Sequence, residues 1–333
     1  MRKTTLDDEL DPIAYYEQRY NITIDDERPQ SRRRKPAASY QEQVSALAEP
    51  TPVEAGLPMT YTPSRFERPW LEGALRGFYD RELIADVLSM VKGGKEACVY
   101  RCVSAGPISE PLVAAKVYRP RQFRNLRNDS AYLEGRAPLT LSGKALTERD
   151  QREMRAIAGR TRFGETLRHT SWLMYEFTAM QTLYAAGADV PQPHAVEANA
   201  ILMAFVGDEH AAAPTLNAVR LGRNRARALF ERVLNNIEIM LQHGMVHGDL
   251  SAYNILYWDD APQIIDLPQV TLLEGNRRSQ GILARDVQRV CEYFARQGVD
   301  CDAKALATDL WRRYGADESW AARDYDLSLL EKD

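Results

Sequence analysis

The order of elements written in this sequence predicts an α+β fold of two lobes, strands gathered first and helices after. Two observations carry that reading. From about residue 84 to Pro120 the chain alternates in strand fashion around glycine punctuation, in VKGGKEACVYRCV and then PLVAAKVYRP. Beyond residue 170, long segments place apolar side chains at steps of three and four, the mark of amphipathic helices. Strands grouped ahead of helices, rather than alternating with them, favour segregated layers over a parallel α/β sheet.

Composition narrows the class. The chain has 333 residues, 44% hydrophobic and 27% charged, within the range of soluble globular proteins. A formal net charge of -4 is too small for bulk charge to point to nucleic acid or membrane. Its four cysteines, Cys98, Cys102, Cys291 and Cys301, form no CxxC pair, and are expected to act as inert apolar side chains in a reducing compartment. The first residues have no apolar leader core, and no apolar run reaches membrane-spanning length, so a cytoplasmic protein without a membrane partner is expected.

The elements follow in order. Residues 1–65 hold DDERPQSRRRKPAAS and EPTPVEAGLP, proline- and charge-rich, and are expected to be a disordered tail. Its run Arg32, Arg33, Arg34, Lys35 is read first as a solvated cluster, with RNA or an acidic partner as the alternative. The remainder, 66–333, divides into an N-lobe of about 66–203 and a C-lobe of about 207–333. ALRGFYDRELIADVLSMV predicts a helix leading into a strand. Residues 119–165, basic and weakly periodic, are expected to be a flexible insertion; its Arg119, Arg121, Arg124 and Arg127 could meet phosphate or RNA, or simply solvent. Leu173, Phe177, Met180 and Tyr184 then mark one helix face, with Ser171 a candidate cap and Gly187 with Pro191 and Pro193 the stop. NAILMAFVGD predicts a short buried strand. RALFERVLNNIEIMLQHG predicts a helix with Leu229, Val233, Ile237 and Met240 inward. NILYW and QIIDL read as strands, and ILARDVQRVCEYFARQG and DAKALATDLWRRYG as closing helices.

The chemistry concentrates in HGDLSAYNIL, residues 247–256, a polar turn between an apolar helix and a strand. Asp249 and Asn254 lie five apart, and Asp266 closes QIIDL twelve residues later. Hard oxygen donors of this kind suit Mg²⁺ beside phosphates, with Asn254 and Asp266 as ligands, while Asp249 is placed to accept the proton of a hydroxyl or water. Taken singly, each acid could equally cap a turn or a helix. Gly93 and Gly94 would let backbone approach phosphate oxygens, though two glycines are also an ordinary turn. Lys116 sits mid-strand among apolar residues and needs a partner, for which Glu176 is the candidate. His243 and His247 have metal-ligand spacing, but Gly244 between them breaks the helix, so His247 is read as a brace for the loop.

Glycine hairpin, strand lysine, helix glutamate, Asp-x4-Asn and terminal Asp follow the order of a protein kinase. HGDLxxxNIL alone also resembles the aminoglycoside and choline phosphotransferases. GKEACVY, WLMYEFTAMQTLYAAGADVPQP, HGDLSAYNILY and IIDLPQ together resemble the RIO family of atypical serine/threonine protein kinases, from about Val87 to Gly298. The resemblance implies a two-lobed kinase fold binding ATP with Mg²⁺ or Mn²⁺. Asp249 would be catalytic, with Asp266 beside it; Asn254 and Asp266 would hold metal; Lys116 would contact phosphates and Glu176 would fix Lys116. Gly93, Gly94, Lys95, Glu96 and Val99 would shape the phosphate-covering loop, and Met203, Ala204 and Phe205 would meet adenine through backbone groups. The polar tail implies the simpler type without a winged-helix domain.

Departures from ordinary kinases shape the functional reading. Ser251 stands where a lysine follows the catalytic aspartate in ordinary kinases, so the charge on the transferring phosphoryl group must be met by metal or another cation. Asp266-Leu267-Pro268 replaces DFG, and too few residues separate Gln269 from Ile282 for a long activation loop. The resemblance therefore implies a kinase phosphorylating serine, on itself first. The alternative is an ATPase switch acting as an assembly or release factor, with a ribosomal or RNA-associated partner; a small-molecule phosphotransferase comes third.

Overall fold

A computed structural model describes residues 57–94, 96–119, 136–147, 149–159, 161–197, 199–274 and 276–315, with a two-residue strand β1 (Thr23–Ile24). Lys95, the basic run 32–35 and Arg121, Arg124 and Arg127 lie outside the described residues. The N-lobe sheet comprises β2 (Ile84–Gly93), β3 (Ala97–Ser104), β4 (Leu112–Tyr118), β5 (Pro193–Glu197) and β6 (Ala200–Ala204). All neighbours are antiparallel, in the order β2-β3-β4-β6-β5.

Strand periodicity decides what each face buries. On β3, Cys98, Tyr100 and Cys102 point inward and are at most 1% exposed, while Val99 and Arg101 face the other way. Helix α1 (Arg68–Asp80) opens with Pro69, whose missing N–H costs nothing in a first turn. It lays Leu71, Leu75 and Phe78 on that inward face, against Val87, Val113, Ala115 and Val117. On β4 the alternate set, Ala114, Lys116 and Tyr118, is left for the opposite face, where the long helix α3 (Arg162–Ala185) packs. The lysine thus enters the inter-lobe side of the sheet because its neighbours 113, 115 and 117 are committed to the core beneath α1.

The C-lobe forms around α4 (Arg223–Gln242), whose Leu229, Val233, Ile237 and Met240 are buried as their spacing predicts. Helices α5 (Ser279–Arg296) and α6 (Ala303–Tyr314) pack beside it. Three two-stranded pairs complete the lobe: β9 (Ile255–Trp258) with β10 (Ala261–Ile264), β8 (Met245–Val246) with β11 (Thr271–Leu272), and β1 with β7 (Val219–Arg220). Ala114, Met203 and α3's Met180 and Leu183 share the C-lobe cluster, so the apolar contact between lobes is continuous. Asp189 braces the same junction: Arg232 donates to both of its oxygens at 2.6 and 2.8 Å, buried Asn236 exchanges bonds with it, and its carbonyl accepts from Ile264 N at 2.7 Å.

Several expectations are corrected. Helix α3 begins at Arg162, capped by Thr161 Oγ1 accepting from Gly164 N, so Ser171 is no cap; its buried hydroxyl accepts from Leu139 N at 3.0 Å. The described part of 119–165 is structured rather than a loop: Leu139 bridges Ala145, and α2 (Gln151–Ala158) packs on α3. Pro193, read as a stop, opens edge strand β5, where its missing donor is tolerated. The residues expected to be a tail include β1 and buried Leu57, and Tyr61 N donates to Val87 O at 2.7 Å. Cys291 and Cys301 form a disulfide between α5 and the turn before α6, while Cys98 and Cys102 are buried thiols as expected. Among the described residues no helix is long and apolar enough to cross a membrane.

Phe78→Ala is expected to lower unfolding free energy by about 3–5 kcal/mol, because the site is wholly enclosed by α1 and the sheet. Leu141→Ala, at a position 45% exposed, should change it by about 0.5 kcal/mol or less. Urea or thermal unfolding followed by circular dichroism measures both.

Candidate active site

The site is assembled around the strand lysine. Register places Lys116 of β4 between Val99 of β3 and Ile201 of β6, in the middle of the sheet. Its Nζ lies 2.5 Å from Glu176 Oε1 on α3 and 2.7 Å from Asp266 Oδ1 in the C-lobe. Burial alone would push the ammonium down, but Asp266 and Glu176 outweigh it and hold the group above its ordinary value. Glu176 is fully buried; that burial pushes it up to about 7 against the pull of Lys116. The Tyr118 hydroxyl, on the same face of β4, donates to the second Glu176 oxygen. The Lys116 charge holds Asp266 below the usual carboxylate range despite desolvation. Asp266, its side chain 46% exposed, turns part of its carboxylate to solvent.

The Asp266 backbone itself is unusual. The residue does not end a strand: β10 stops at Ile264, and Asp266 has φ 69°, in the left-handed region that Asp tolerates better than most side chains. That turn swings the carboxylate out of line with the preceding apolar residues and toward Lys116.

The loop 247–254 is held from three sides. Gly248 has φ 87°, and a Cβ there would lie 2.1 Å from Gln269 O, so only glycine fits. Its N–H donates to buried Asp286 Oδ2 of α5 at 2.8 Å, and its carbonyl accepts from Arg285. His247 Nε2 meets Ile265 O at 3.1 Å, while its Nδ1 accepts from Asp249 N at 3.2 Å, which fixes the tautomer. The expectation that His247 braces the loop matches this geometry; His243 instead terminates α4 and meets Ile239 O. Asn254 Nδ2 donates to Asp249 O at 2.9 Å and Oδ2 at 3.2 Å. Its carbonyl accepts from Ile265 N at 3.0 Å, next to Asp266. With the amide nitrogen so engaged, Asn254 Oδ1 is the side-chain atom able to act as an oxygen ligand. One carboxylate and one amide oxygen fit Mg²⁺, whose remaining positions phosphates and water take. Among the described residues no cluster of three or more His, Cys, Asp and Glu competes for a metal.

The residues expected to meet the nucleotide are placed as follows. Gly94 N donates to Ala97 O at 2.9 Å in a tight turn, and a Cβ on Gly94 would come within 2.7 Å of that oxygen. Gly93 ends β2 opposite Cys98, and Glu96 O accepts from Arg119 N. Val99, Met203 and Phe205 pack against the C-lobe core. The Ala204 N–H donates to Gln192 O at 2.8 Å, so that donor is already engaged within the protein.

Side chains that motif reading did not single out are Tyr118, Asp286 and Arg289. Arg289 Nη1 lies 2.6 Å from Asp249 Oδ1. A charged pair inside the apolar pattern of ILARDVQRVCEYF was the available signal: Asp286 falls on the buried face between Leu283 and Val290.

A small antiparallel sheet, a helical lobe, and a Lys–Glu–Asp cluster facing an Asp-x4-Asn loop define a protein-kinase-like domain. The chain belongs to the RIO family: the RIO domain model matches residues 140–306, about half of its length. It is 32% identical over 219 residues to the RIO-type serine/threonine-protein kinase Rio1 of Haloferax volcanii, covering 65% of this chain and 66% of that one. It is 29% identical over 233 residues to the serine/threonine-protein kinase RIO1 of Chaetomium thermophilum, covering 66% and 41%. The chain thus spans less than two thirds of the length of these relatives. Crystal structures of the Rio2 kinase from Chaetomium thermophilum share the fold: one matches at TM-score 0.52 and 20% identity, covering 81% of this chain and 80% of that one. Its ADP/Mg²⁺-phosphoaspartate complex matches at TM-score 0.51 and 19% identity, covering 87% and 82%.

Lys116→Met should destabilise the fold by about 3–5 kcal/mol by stranding Glu176, and adding Glu176→Gln should recover part of that loss, in chemical denaturation of both variants. Asp266, lowered in the folded state, contributes stability that is present above the ordinary carboxylate value and lost as pH falls through its lowered one. The difference in melting temperature between wild type and Asp266→Asn should therefore shrink as pH is taken below about 4.

Proposed function

We propose that this chain binds ATP with Mg²⁺ and transfers the γ-phosphoryl group to a serine hydroxyl, its own first. The observation that carries the reading is Lys116, held between Glu176 and Asp266 beside the loop presenting Asp249 and Asn254. Lys116 meets the phosphates, the turn at Gly93, Gly94 and Glu96 covers them, and Met203 to Phe205 border the adenine. Asn254 and Asp266 hold the metal, for which Mn²⁺ offers the same oxygen preference; bound there, it neutralises phosphate charge. Asp249 accepts the proton as serine Oγ bonds to the γ-phosphorus and the bond to the ADP oxygen breaks. The ADP and Mg²⁺ in the Rio2 complex, and the kinase names of the relatives, support the same choice of nucleotide and metal.

A second reading is favoured by the short passage from Asp266 to α5, which begins at Ser279 and leaves little room for a peptide-docking loop. There the acceptor is water or Asp266 itself, and ATP turnover times release from a partner such as a ribosomal or RNA-associated particle in the cytoplasm. A small-molecule acceptor comes third.

Purified protein incubated with Mg²⁺ and γ-labelled ATP is expected to accumulate acid-stable phosphoserine. Asp249→Ala should lower that rate by about 10²–10⁴-fold. Release of free phosphate with little stable protein label would overturn the kinase reading in favour of the switch.

A further inference from the structure

We infer that Arg289 is a positioning residue for this phosphoryl transfer, orienting the Asp249 carboxylate from helix α5; the inference rests on the reading of the site given above. Arg289 Nη1 reaches Asp249 Oδ1 at 2.6 Å, the short distance of a charge-assisted hydrogen bond. Asn254 Nδ2 takes the other oxygen at 3.2 Å, so both oxygens of the carboxylate are tethered. Each keeps a lone pair for an incoming hydroxyl.

The source of the arginine matters as much as its contact. Arg289 lies three residues after Asp286 and four after Arg285, one turn further along α5. Arg285 and Asp286 hold the carbonyl and N–H of Gly248, and Arg289 holds the side chain of the next residue. One helix therefore fixes both the backbone and the carboxylate at the point of proton transfer. Arg289 and Asp249 are 39% and 41% exposed, on a surface that an acceptor hydroxyl can reach. A pair this exposed adds little to folding stability, so its effect falls on the orientation of the carboxylate. The planar guanidinium sets that orientation in a way an ammonium on a flexible stem does not. As serine Oγ bonds to the γ-phosphorus and ADP departs, the hydroxyl proton passes to an Asp249 oxygen already aimed at it.

The test compares wild type, Arg289→Gln and Arg289→Lys in the full chain, reading phosphoserine formation, phosphate release, ATP KM and melting temperature. Arg289→Gln should lower kcat by about tenfold or more while ATP KM stays within about twofold, and Arg289→Lys should fall between. Melting temperatures should stay close to wild type. Unchanged or raised kcat in Arg289→Gln overturns the assignment, as does a loss of activity that tracks a fall in melting temperature in both variants. Wild type that yields neither phosphoserine nor phosphate overturns the functional reading, and this inference with it.

Discussion

Everything in the cleft depends on one buried ammonium. Lys116 stands on an apolar sheet at the meeting of the two lobes, and its charge is tolerated there only because Glu176 and Asp266 close on it within 2.7 Å. The two partners come from different places: α3 above the cleft and the turn after β10 below it. The contact therefore does two things at once. It satisfies a charge that cannot be left alone, and it sets the distance between the sheet and the loop carrying Asp249. Tyr118 adds a second hold on Glu176 from the same strand, so the glutamate is fixed from both of its oxygens.

Below the cleft, α5 has the corresponding role. Asp286 is buried, and desolvation pushes its carboxyl upward while His247 and Arg285 draw it back down. A carboxylate in that position makes sense as the acceptor for Gly248, whose left-handed backbone and contact with Gln269 exclude any side chain. The glycine, the aspartate and the arginines on α5 are one constraint seen from several residues. Changing one leaves the others holding a loop of altered shape.

The parts that could be read from sequence are those governed by periodicity and by charge among apolar neighbours. The faces of α4 and β3 follow from spacing alone. Lys116 was conspicuous because VAAKVY gives an ammonium no local partner, and Glu176 because α3 is otherwise apolar on that side. The parts that could not be read depend on tertiary contact. Thr161 rather than Ser171 caps α3 because Ser171 is needed by Leu139, a contact 32 residues distant. Pro193 opens a strand because that strand lies at the sheet edge, which the local sequence does not declare. Cys291 and Cys301 pair because α5 and α6 are antiparallel neighbours. Asp286 and Arg289 read as helix surface charges until the loop they support is in place.

The central claim is that the Lys116 cluster receives nucleotide phosphates, and isothermal titration tests it directly. Mg·ATP, Mg·ADP and adenosine would be titrated into wild type and into the Lys116→Met/Glu176→Gln variant, which removes the charge without stranding the glutamate. The account predicts that the variant binds Mg·ATP more weakly by about tenfold or more, while adenosine binding is unchanged. Equal affinity for Mg·ATP in both proteins would contradict it.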